Sequence, residues 1–160
     1  MKHRKTWATC LTLVLAMLCL SFECGGGDGD QRRKYAKAAD NIAGGINTMI
    51  KVKRDFAQNG RISADEERRL TELLLRANEA TTAFNNRVRT VTVIDASNSA
   101  ELGNLFASVT SAIAELNSSG VLGVQNADAK SKLSSIIATI NAAMAIISQL
   151  QAQPQPTPTP

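Results

Sequence analysis

The chain predicts an all-α fold, an up-down-up-down four-helix bundle, and three observations carry that expectation. Apolar residues recur three and four positions apart, which lines one face of a helix and does not match the alternation of a strand. They do so in four segments joined by short links, and a short link returns each helix beside the one before it. The span that holds them, 31–151 or roughly 120 residues, is ample for one domain with a modest core.

Residues 1–23 precede that domain. Lys2, Arg4 and Lys5 lead into an apolar run from Leu11 to Leu20 broken only by Thr12, the charged start and hydrophobic centre of an export signal. The run is short for a permanent span, which needs about 20 residues. The stretch that follows, "LSFECGGGDGD", resembles the region around the acylated cysteine of bacterial lipoproteins. The resemblance implies Cys24 as the lipid-bearing residue, 24–30 as a Gly/Asp-rich tether, and attachment to a membrane of the cell envelope or periplasm through that lipid. Glu23 and Ser21 stand where the family's cleavage box prefers a small residue and a leucine. Cleavage after Ser21, with Cys19 and Ser21 at the two specificity positions, is the alternative and gives a secreted protein without a lipid.

The first helical segment places Tyr35, Ile42, Met49 and Phe56 seven apart, with Ala39 and Ile46 between them. Gly44 and Gly45 interrupt it, each unfavourable by about 1 kcal/mol against alanine, so the helix either bends there or packs closely on a neighbour. The basic run Arg32 to Lys34 reads first as a solvated helix start; because it lies close behind Cys24, contact with anionic headgroups, where each near-surface charge gains about 1 kcal/mol, is the alternative.

The second segment carries Leu70, Leu74, Ala77, Thr81, Phe84, Val88 and Val91, with charged and amide residues on its outer faces. Its end, "RTVTVID", is β-branched and alternating and is able to fray into an extended piece. The third has Leu102, Leu105, Phe106, Val109, Ile113 and Leu116, opens on Asn98 with Glu101 three residues on as a cap, and stops at "NSSG" with Gly120. The fourth has Leu133, Ile137, Ile140, Met144, Ile147 and then a polar Gln151. The Pro/Thr tail 152–160 cannot continue a helix, because each proline removes a donor and clashes with the preceding turn, and it reads as a disordered end.

Composition limits the chemistry. Removal of residues 1–23 takes the only histidine, His3, the only tryptophan, Trp7, and Cys10 and Cys19. That excludes Ser/His and Cys/His nucleophiles, histidine-held zinc or haem, and an internal disulfide. It also leaves 15 basic against 13 acidic side chains, a net +2 far from the concentrated basic face of a nucleic-acid binder, so no nucleic acid is expected as a partner. No catalytic residue and no cofactor is expected. From Ala96 to Leu150 only Glu101, Glu115, Asp128, Lys130 and Lys132 are charged. That half is either a weakly polar solvated surface or a face set against an envelope protein or a second copy.

One stretch suggests a site. "DFAQNGRISADE", residues 55–66, resembles a degenerate EF-hand loop, which implies Asp55, Asn59, Arg61 through its carbonyl, Ser63 and Glu66 as calcium ligands, with Gly60 at the turn and Ala57 in the third ligand place without an oxygen. The same letters make a helix-turn-helix link: Asn59 and Gly60 close one helix, Ser63 with Glu66 caps the next, and Ile62 folds back onto the helix it precedes. Asp65, Glu66 and Glu67 suit the positive start of that helix. The function these readings favour is an exported, lipid-anchored, non-enzymatic binding or structural module of the envelope, with a calcium-binding protein as the alternative.

Overall fold

The computed structural model describes the backbone of residues 28–153 and the side chains from residue 31 onward; the expected export signal 1–23, Cys24 and most of the tail lie outside the described residues. Four helices fill the described chain: α1 Asp28–Gln58, α2 Ala64–Thr90, α3 Ala96–Glu115 and α4 Ala127–Gln151. No strand occurs among the described residues, and the chain is an all-α four-helix bundle. Helix α1 begins inside the stretch expected as tether, three residues ahead of the expected domain start.

Cross-links fix the directions. Near the start of α1, the Gln31 amide donates to Leu150 O at the end of α4 at 3.4 Å, and Arg32 donates to Arg89 O at the end of α2 at 3.2 Å. Arg89 also meets Asp40 at 2.7 Å. From α2, Arg87 pairs with Glu101 at 2.7 Å and Arg76 with Glu115 at 3.0 Å along α3. Each helix therefore runs antiparallel to the next, up-down-up-down. Helix α1 packs along both α2 and α4, α2 packs along α1 and α3, and the α3–α4 seam is the thinnest. These exposed ion pairs each contribute at most about 1 kcal/mol. The apolar stripes carry the stability, since burying one Leu, Ile or Phe side chain is favourable by about 1.5–3 kcal/mol.

The expected stripes are the core. Tyr35, Ile42, Ile46, Met49, Phe84, Leu102, Ile113 and Ile140 are each at most 2% exposed, and Phe84 and Phe106 set their rings 5.7 Å apart at a 46° tilt. Burial pushes the Tyr35 hydroxyl up to about 12. Leu105 is only half-buried, on the flank of α3 and not at its centre.

Gly45 explains how α1 and α4 come together. A Cβ there would stand 2.5 Å from Ile140 Cγ1, closer than carbon atoms pack, so the glycine is what permits the approach. Gly44 has open space instead.

Two local expectations change. The cap of α3 is Asp95, whose side chain accepts from Ser97 N and Asn98 N, while Asn98 returns a bond to Asp95 N; the capping box sits three residues earlier than the Asn98/Glu101 pairing, and Glu101 serves Arg87. Asn98 Nδ2 also donates to Val93 O at 2.9 Å, and its Oδ1 accepts from Asp95 N at 3.3 Å, so the side chain faces back past the helix start and does not cap the N–H groups ahead of it. Helix α3 does not stop at "NSSG": it widens into a π turn, Leu116–Val121, because Gly120, without a side chain, lies against Leu70 and Leu73 of α2 and makes burial there more favourable than an exit to solvent. The expected fraying of "RTVTVID" does occur: the helix ends at Thr90 and an extended link follows, from which Val91 and Ile94 turn inward onto the core.

Candidate functional site

The link between α1 and α2 is built from two interlocking caps. Gly60, at φ +65°, lets its N–H reach Ala57 O at 3.1 Å while Arg61 N–H reaches Phe56 O at 2.8 Å, the paired bonds of a Schellman closure. The Arg61 guanidinium lies 5.9 Å from the centre of the Phe56 ring, placing the usual hydrophobic contact of that motif under a cation. Asn59 Nδ2 donates to Asp55 O at 2.8 Å and to Asp55 Oδ1 at 3.0 Å. Ile62 is buried in the core, 6% exposed.

Ser63 and Glu66 then form a complete capping box. Ser63 Oγ accepts from Glu66 N at 3.3 Å and Ser63 N donates to Glu66 Oε2 at 2.6 Å. The other carboxylate oxygen, Oε1, accepts from Gln125 N at 2.7 Å, in the link that leads to α4. One carboxylate thus ties two links at the same pole of the bundle. The Ser63 backbone N–H, helped by that of Gln125, holds the Glu66 carboxyl below the usual carboxylate range against a smaller opposing effect of burial.

The structure divides the five residues of the calcium reading. Asp55, Asn59 and Arg61 line an open polar cleft of about 670 Å³ together with Phe56 below and Asp128 and Lys132 from α4. Ser63 and Glu66 are absent from its lining and are occupied with each other and with Gln125. Among the described residues no three His, Cys, Asp or Glu side chains gather as a metal-ligand group.

Asp128 and Lys132 are what the sequence reasoning missed. The signal was present: an antiparallel α4 must start beside the end of α1, and a carboxylate and an ammonium four apart in its first turns must then border the Asp55 link. Lys132 also lines a second, mainly apolar groove of about 410 Å³ with Gly45, Thr48, Ser135, Ile136 and Thr139. The cleft and the groove share that lysine.

Comparison with family models, with curated proteins and with solved structures finds no match.

Proposed function

We propose that the chain is an exported, non-enzymatic helical module of the bacterial cell envelope, anchored by a lipid on Cys24. The observation that carries this reading is the charged start, apolar run and "ECGGG" sequence that ends at the cysteine. The bundle is compatible with it in a specific way: the start of α1 and the end of α4 meet at one pole through Gln31 and Leu150, while the cleft and both outer links lie at the other. A lipid four residues before Asp28 would hold the first pole at the bilayer and present the second to the surroundings. The competing proposal, calcium held by Asp55 through Glu66, is second because calcium would have to draw Glu66 away from two backbone N–H groups.

Fractionation tests the anchor. Wild-type protein is expected in the membrane fraction and Cys24→Ser in the soluble fraction. Wild-type protein that washes from the membrane in carbonate would refute the anchor.

A further inference from the structure

The polar cleft and the apolar groove are neighbours along the α1–α4 junction, with Lys132 in the lining of both, and their order is informative. On α1 the cleft draws on Asp55 and Asn59 and the groove on Gly45 and Thr48; on α4 the cleft draws on Asp128 and Lys132 and the groove on Ser135, Ile136 and Thr139. From Asp55 back to Gly45 is about ten residues, or about 15 Å at 1.5 Å per residue. Over that length the lining passes from the charged groups of the cleft to a groove whose one charged lining residue is Lys132.

We infer that the cleft and the groove beside it together bind a single-chain zwitterionic amphiphile, with its headgroup in the cleft and its alkyl chain passing Lys132 into the groove. The head end carries two carboxylates, Asp55 and Asp128, and two cations, Arg61 and Lys132, none of them held in an ion pair among the described residues. An anionic headgroup alone would meet both carboxylates, and a cationic one alone both cations. A headgroup with an ammonium and a phosphate matches both signs at once, since charge complementarity selects against the wrong sign more strongly than it rewards the right one.

The groove end is open because its walls are short. Gly45 lets α1 close on the buried Ile140, and above that contact Gly45, Thr48, Ser135, Ile136 and Thr139 line the groove. Thr48 and Thr139 turn their hydroxyls back to Gly44 O and Ser135 O, which satisfies them locally and leaves methyl groups as wall. Ile136 is already half-covered by the core and offers the remaining apolar surface. Each buried methylene of a chain laid there gains about 0.8 kcal/mol.

This inference deepens the binding-module reading and rests on it, but it requires nothing of Cys24. Failure of amphiphile binding leaves the anchor to be decided by fractionation, and failure of the anchor leaves the cleft and the groove.

The test is titration calorimetry of the full chain with monomeric dodecylphosphocholine, alongside dodecyl maltoside, which has the same chain and an uncharged head, and phosphocholine, which is the head alone. Two variants at exposed positions, Lys132→Glu and Thr139→Trp, alter the head end and plug the groove, and circular dichroism checks that each is folded. Saturable binding of dodecylphosphocholine is expected, at least tenfold weaker for the maltoside and for either folded variant, and undetectable for phosphocholine at the same concentration. Absence of saturable binding overturns the inference, and so does equal affinity for the maltoside. An isotherm unchanged in a folded variant also overturns it, because uptake by the apolar N-terminal segment would be blind to both substitutions.

Discussion

Gly44 and Gly45 are neighbours in the interior of one helix, and replacing each with alanine should stabilise at Gly44 but not at Gly45. The intrinsic gain is the same at both positions, about 1 kcal/mol for Gly→Ala in a helix interior. At Gly44 an added Cβ meets nothing within 4 Å, so Gly44→Ala should keep that gain. At Gly45 the Cβ would lie 2.5 Å from Ile140 Cγ1 and 3.0 Å from Cδ1, whereas carbon pairs settle at about 3.5–4.0 Å. Ile140 is fully buried and cannot swing out, so α1 and α4 must part by about 1 Å.

Overpacking of that kind costs about 1–3 kcal/mol, which makes Gly45→Ala neutral to about 2 kcal/mol destabilising after the helix gain is deducted. Removing the obstacle should restore the sign. Ile140→Ala alone costs about 2–5 kcal/mol as a core truncation. In that background only Ile140 Cβ faces the new methyl, at 3.9 Å, so Gly45→Ala should recover about 1 kcal/mol and part of the cavity. Urea unfolding followed by circular dichroism measures the wild type and all four variants. If Gly45→Ala stabilises as much as Gly44→Ala in the wild-type background, the close approach of α1 and α4 is wrong.

Four further outcomes follow from named groups. Ser63→Ala should lose about 1 kcal/mol through its cap, equally with and without millimolar calcium; a saturable calcium-induced rise in melting temperature abolished by Asp55→Ala would instead promote the calcium reading. Thr81 is 1% exposed and its hydroxyl has no partner among the described residues, so Thr81→Val should stabilise by about 1 kcal/mol in the same unfolding assay, and a loss of stability would mean that the hydroxyl is bonded. The carboxyls of Glu66, Asp40 and Asp95 are held low, by Ser63, Asn85 and Ser97 first in each case. Their folded state binds fewer protons than the unfolded one near pH 4, so their stabilisation is complete above their ordinary values of 4.5 and 3.8 and is lost as pH falls through the folded values. Tyr35 acts at the other extreme: the unfolded chain releases its proton near 10 and the folded chain only near 12, so stability should decline across that interval, and Tyr35→Phe should remove the decline.

The periodic parts of the fold were legible because spacing alone identifies a buried face. Tyr35 through Phe56, Leu70 through Val88 and Leu133 through Ile147 needed no tertiary information, since each stripe repeats often enough to outweigh single exceptions such as Leu105. The link 55–66 was legible as a cap for the same reason: Asn59-Gly60 and Ser63/Glu66 are local signals satisfied within six residues of each other. The π turn was not, because "NSSG" has the letters of a helix stop and only the nearness of Leu70 and Leu73 makes continued winding favourable. The cap of α3 was misplaced for a related reason. Asp95 and Asn98 both have capping side chains, and the choice between them depends on where Val91 and Ile94 find the core. Pairings between distant elements were the least legible. Nothing local in "DEER" indicates that Glu66 will reach Gln125, nor in "DAKSK" that Lys132 will join two depressions on the surface.

The most direct measurement of the functional account is intact mass spectrometry of the mature protein purified from bacterial membranes. A chain that begins at Cys24 and carries the added mass of a diacylglyceryl group is the expected result, with the added mass localised to the N-terminal peptide. A chain that begins at Phe22 with a free thiol on Cys24 would contradict the account.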